Sequence, residues 1–250
     1  MKLKVKCLKH LYYIHKIPLA LTLKYITECK LVDNSGINFL IRPQFCNFYK
    51  NVHTSKSLIK PISQIGIIKT LSHKFDLFKK KTYLTELGYD LYGDIADGLN
   101  YSIFFKDFNM PDTFFSWFLV TELHVWMLMV RFMAEGERGI LVTNKMVEAM
   151  WHDVLIRAEL LGPMTSRTKK KQVAELSYQF NAAIVGYDEG IMSDDKVLAS
   201  ALWRRFFCLE CNNPEHLEKL LIYVRKQINV FDKIPSEKVF DRSITKWVDL

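Results

Sequence analysis

An all-α fold is what this sequence predicts: a single compact multi-helix domain preceded by a basic, flexible segment. Three observations predict it. Glycine and proline are sparse, 10 and 7 in 250 residues, too few turn-formers for a many-stranded β fold. Beyond residue 80, apolar residues recur at three- and four-residue steps, the spacing of a helix face, and no stretch alternates convincingly as a strand would. Recognisable start and stop residues punctuate these stretches. With 49% hydrophobic and 25% charged residues, the chain can bury one ordinary core.

The elements follow in order. Residues 47–80 give only weak signals. From Lys81, Leu84, Leu87, Leu91 and Ile95 make a helical stripe that stops at Gly98. Phe114 to Met133 is an intensely apolar run with Asp112 as its expected N-cap and Gly136 and Gly139 closing it. Its 20 residues are enough to span a bilayer. It also holds Glu122, His124 and Arg131, and charged residues near a bilayer centre cost about 2.5–3.5 kcal/mol each. A central helix surrounded by other helices is the better reading. A further helix is expected over 143–161, ended by Gly162-Pro163. The next opens at Arg167 and carries Val173, Leu176, Phe180 and Ile184, and the segment 186–190 is expected to break it as a loop. Ser193 then caps a helix whose first turn has Asp194 and Asp195 at the positive dipole end. The clearest start is Asn213 as N-cap with Pro214 at the first helical position. Residues 233–250 read as a loose tail. The expected organisation is therefore a segment 1–60, a helical domain 61–232 and a tail 233–250.

The net charge of +8 is concentrated at one end. Residues 1–60 hold eleven Lys or Arg against two acids, and the remaining 24 bases and 25 acids nearly cancel. The basic balance is therefore poor support for nucleic-acid binding by the body. A basic, acid-poor start reads as a mitochondrial targeting segment. The competing secretory signal would place its apolar core at 17–23, where Lys24 interrupts and no small-residue cleavage site follows. Of five cysteines only Cys208 and Cys211 lie in the body, so no disulfide framework is implied.

No catalytic signature appears: no H-E-x-x-H, no G-x-S-x-G and no phosphate-binding glycine loop. Glu122 and His124 are two apart on one helix and do not share a face. Cys208, Cys211 and His216 fall one ligand short of a structural zinc site, with no second cysteine pair. The expectation is a binding protein, with no catalytic residue, metal or cofactor of its own.

Several ordered blocks are specific. They are Met110-Pro111-Asp112-Thr113, Ser116-Trp117-Phe118, Leu123-His124-Val125-Trp126-Met127, Phe180-Asn181-Ala182-Ala183-Ile184, Gly186-Tyr187-Asp188-Glu189-Gly190-Ile191, Ser193-Asp194-Asp195, Ala201-Leu202-Trp203-Arg204 with Phe206-Phe207, and Tyr223-Val224-Arg225-Lys226-Gln227. On these blocks the chain resembles the ubiquinol–cytochrome c reductase chaperone family, strongly over about 110–231 and weakly over about 65–109. The resemblance implies a mitochondrial complex III assembly factor. Such a protein acts on the matrix side of the inner membrane with a small helical partner, near the mitochondrial ribosome, and receives newly made cytochrome b as its client.

Tyr187, Asp188, Glu189, Asp194 and Asp195 are candidates for partner binding. Between 186 and 190 two readings stand: a tight turn, or an exposed acidic and aromatic lip. Trp117 and Trp126 are candidate aromatic anchors. Arg167, Lys169, Lys170 and Lys171 form the one dense basic cluster of the body, either a solvated helix start or a contact for ribosomal RNA or anionic lipid. The rival to a chaperone is an all-α matrix protein or enzyme holding a quinone, lipid or haem. An enclosed cavity with convergent polar groups would favour the rival, and an open apolar groove the chaperone.

Overall fold

The structure, a computed structural model, describes residues 64–162, 165–242 and 244–250, with side chains from Phe78 onward. The expected targeting segment, 1–60, lies outside the described residues. Seven helices and no strand are found among the described residues: α1 Gln64–Gly98, α2 Tyr101–Asp107, α3 Phe114–Met133, α4 Glu137–Leu160, α5 Ser166–Met192, α6 Asp195–Arg205 and α7 Pro214–Asp232.

α3 is the axis of the domain. It packs against α1, α2, α4, α5 and α7, and its apolar, polar and charged side chains alike are buried from Ser116 to Met129. It is the one helix among the described residues long and apolar enough to cross a membrane. Its burial by other helices accounts for that composition. Thr113, not Asp112, is the N-cap: its backbone is extended and its Oγ1 accepts from Ser116 N at 3.2 Å. Both residue types cap well, and only the backbone decides between neighbours.

The other boundaries shift for local reasons. α1 begins well before Lys81, since no proline follows Pro61 to interrupt it. α2 was not legible: it has seven residues and buries only Phe104. Gly136 does end the α3 region, at φ +68°, but Gly139 lies inside α4. There a Cβ would come within 2.7 Å of the Phe132 carbonyl carbon, so glycine permits the tight crossover. Asp194, rather than Ser193, caps α6 by accepting from Val197 N. Asn213 and Pro214 open α7 as expected.

Two expectations are overturned. Residues 186–190 are not a loop but the continuous last turns of α5. The segment 233–250 is not a loose tail. Val239, Phe240 and Ile244 are buried. Gln227 donates to Lys246 O and accepts from Val248 N, and Trp247 lies edge-on to His124 and Phe231. These few apolar residues have no helical spacing, so only the groove beside α7 and α1 reveals that they are core.

Candidate functional site

Two connections meet to form an open cleft of about 470 Å³. One joins α2 to α3 and carries Met110-Pro111-Asp112-Thr113. The other joins α6 to α7. Its floor is aromatic: Phe108 stands edge-on to Phe206 and Phe207, each at 5.6 Å between ring centroids, and Leu119 of α3 lines it from below. Phe115 also lines it, as an exposed side chain, and Leu209 of the neighbouring turn is 55% exposed.

The backbone around the cleft is unusual. Asn109, Cys208 and Leu209, at φ of 54°, 52° and 66°, are the non-glycine residues with left-handed backbone among the described residues. All three lie on the two connections. Such conformations cost about 1–3 kcal/mol each and persist only where the surroundings impose them. Glu210 N donates to Phe207 O at 2.9 Å, closing the turn. Leu209 N donates to Trp203 O, and Trp203 Nε1 donates to Cys211 O. On the facing side, Met110 N donates to Phe105 O at 2.8 Å.

Beneath the second connection lies a buried ion pair. Arg205, the last residue of α6, donates from Nε and Nη2 to the two carboxylate oxygens of Glu122 at 2.8 and 2.6 Å, and from Nη1 to Gln179 Oε1 at 2.9 Å. One guanidinium thus joins α3, α5 and α6 directly before the strained turn. Burial pushes the Glu122 carboxyl up to about 7, against the lowering effect of Arg205. His124, two residues on, has its own partners: Nδ1 bonds Val120 O and Nε2 bonds Tyr223 Oη, both at 2.7 Å. Burial lowers it to about 4, so it is neutral at physiological pH.

The sequence candidates fall as follows. Tyr187 and Asp188 are buried, not an exposed lip. Tyr187 packs on Trp126, and Asp188 Oδ1 accepts from Trp126 Nε1 at 2.8 Å. Trp126 is fully buried, and Trp117 is buried under the Arg157 guanidinium. Neither tryptophan is a surface anchor, because both belong to the helix every neighbour covers. Glu189 is exposed. Asp194 is occupied as a helix cap and Asp195 pairs with Arg225 of α7, a cation that tertiary structure brings near. The four carboxylates therefore do not form one patch. Arg167 and Lys171 are exposed on the first turns of α5, with Lys169 and Lys170 partly so.

Cys208, Cys211 and His216 do line one cleft, yet no group of three or more His, Cys, Asp or Glu among the described residues could hold a metal ion. Burial raises the Cys208 thiol, which disfavours the reactive thiolate. An apolar floor, exposed apolar side chains and a pre-strained rim equip the cleft for binding. Sequence reasoning did not single out Phe115, which lines the cleft, or Asn109 and Leu209 on the connections that form it. Asn109 had a signal, because asparagine tolerates left-handed backbone; Cys208 and Leu209 had none.

The comparisons bear on this arrangement. The family profile described as ubiquinol-cytochrome C chaperone matches residues 106–247, taking in both walls of the cleft and the packed C-terminal segment. Ubiquinol-cytochrome c reductase complex assembly factor 1 of Drosophila melanogaster is 41% identical over 227 residues, covering 89% of this chain and 83% of that protein. The Homo sapiens protein of the same name is 37% identical over 203 residues, covering 79% and 68%. The crystal structure of the Cbp3 homolog from Brucella abortus superposes with a TM-score of 0.60, covering 70% of this chain and 96% of that one at 21% identity, and so shares the fold. By profile and by identity, the chain belongs to the ubiquinol–cytochrome c chaperone family.

Proposed function

We propose that this protein is a mitochondrial assembly chaperone of respiratory complex III that shields an apolar segment of newly made cytochrome b in the cleft between the α2–α3 and α6–α7 connections. The relatives named as complex III assembly factors support the role. The observation that carries the site is the cleft itself: an open aromatic floor bordered by the exposed Phe115 and by a strained turn that carries Leu209. Strain held by surrounding contacts marks functional segments more often than structural ones. An open cleft suits a chain segment better than a quinone or haem, which calls for enclosure. The chaperone works on the matrix side of the inner membrane. Its small helical partner meets the exposed Glu189 on the last turns of α5, where an outward carboxylate steers a basic surface.

The test is site-specific crosslinking. A photoreactive residue at 115 or 209, in mitochondria synthesising labelled cytochrome b, is expected to give an adduct with cytochrome b. A photoreactive residue at Glu189 is expected to give none with that client. Adducts from 115 and 209 only with other proteins, or none, would overturn the assignment.

A further inference from the structure

We propose that the corner where α4 ends and α5 begins is a lipid-docking surface that seats the protein on an anionic bilayer. Two independent observations meet there. Leu160, 81% exposed, is the most exposed large apolar side chain among the described residues, and Leu161 and Ile156 beside it are also exposed. A few residues on, Arg167, Lys169, Lys170 and Lys171 crowd the first turns of α5, which has no acidic residue in its first turn. Cations at a helix N-terminus oppose its dipole, so the helix itself gains nothing from them. Glu159 is the one exposed carboxylate on the last turns of α4, since Asp153 there is half-buried and paired with Arg157.

Protruding leucines beside a cation cluster match an anionic membrane surface: the aliphatic tips enter the headgroup boundary and the cations meet phosphate. RNA fits less well. It would use the cations, but it is held by aromatic stacking rather than by leucine, and no aromatic residue lies in the cluster. Trp151 of α4 meets Phe180 of α5 edge-on, with 5.6 Å between ring centroids, so the two helices that flank this corner also touch within the core. Arg157 over the Trp117 ring, at 4.2 Å, ties the same end of α4 to the first turn of α3, the turn that bears Phe115. Docking therefore brings that side of the cleft toward the bilayer, where a membrane subunit is inserted. The placement deepens the chaperone reading, but its test needs no client, so either can fail alone.

The full chain is mixed with vesicles of phosphatidylcholine with and without phosphatidylglycerol. Because the basic first 60 residues also attract anionic lipid, the decisive readout is positional. The indole introduced by Leu160→Trp is expected to be quenched by brominated acyl chains in the anionic vesicles, whereas Trp117, Trp126 and Trp151, buried in the domain, are not. Each cation at an anionic surface contributes roughly fivefold in affinity. Replacing Arg167, Lys169, Lys170 and Lys171 together by Gln should thus lower vesicle affinity at least tenfold, and Leu160→Ser with Leu161→Ser several-fold, both with unchanged melting. Vesicle-bound Leu160→Trp protein whose added emission escapes quenching would overturn the proposal. So would RNA affinity that falls with the charge variant while neither variant alters vesicle binding.

Discussion

Residues 186–190 and 205–211 sit at the two ends of the α5–α6 hairpin and reverse each other's appearance. The first has two glycines, a tyrosine and two acids, the composition of a turn, and is helix with Tyr187, Asp188 and Gly190 buried. The second has no glycine, and contains the left-handed turn. Glycine has two separate uses, backbone freedom and lack of a side chain. At 190 it serves the second: a Cβ on Gly190 would meet Leu198 Cα at 2.7 Å, whereas one on Gly186 would find Ala201 Cβ at an ordinary 3.7 Å, so position 186 requires neither use. The missing side chain at Gly190 lets α5 and α6 close. At 208 and 209 the backbone freedom is needed but glycine is lacking, and the turn is held by Trp203 and anchored by Arg205.

The largest expected effect comes from releasing that anchor. Arg205→Leu leaves Glu122 buried without its partner and should cost about 3–5 kcal/mol in chemical denaturation. Glu122 has a pKa raised above its unfolded value, so its contribution is intact below about 4.5 and is lost as pH rises through about 7. Removing the guanidinium removes the cause that lowers it. The deficit should therefore shrink as pH falls and grow as it rises. A loss under about 1 kcal/mol would show that the turn is held without Arg205.

Next come the glycines. Gly190→Ala should destabilise by about 1–3 kcal/mol through overpacking against the α6 backbone. Gly186→Ala, with room for its methyl, should stabilise the helix by about 0.4–1 kcal/mol. Equal losses at both positions, read by thermal melting, would restore the turn that the composition suggested.

The adjacent carboxylates sharpen the same contrast. Asp188→Ala removes the acceptor of Trp126 Nε1 and should cost about 1–3 kcal/mol. Glu189→Gln, on the exposed side, should stay within about 0.5 kcal/mol of the parent. A neutral Asp188→Ala would contradict the buried bond.

Smallest in stability is Leu209→Asn. Asparagine accepts left-handed backbone more readily than leucine, so melting should hold or rise by less than about 1 kcal/mol. Capture of labelled cytochrome b should drop as the apolar side chain is lost. Unchanged capture together with unchanged melting would leave the turn without a binding role.

By itself the sequence determined the helical class, the apolar axis over 114–133 and the start of α7. Each rests on local rules: helical spacing, run length, and Asn-Pro at a helix start. It also carried the motif blocks, including the Met110–Thr113 stretch that walls the cleft. What it could not decide was which way those blocks face. Tyr187, Asp188, Trp117 and Trp126 look like interface residues in one dimension and are core in three, because large aromatic rings suit either place and Asp188 is paired with Trp126 Nε1 inside. The C-terminal segment likewise has no period to read, and only the groove beside α7 makes it core. The cleft belongs to tertiary structure alone. Its walls come from distant parts of the sequence, and its left-handed turn is imposed on Cys208 and Leu209 by contacts from Trp203 and Arg205 rather than favoured by the residues themselves.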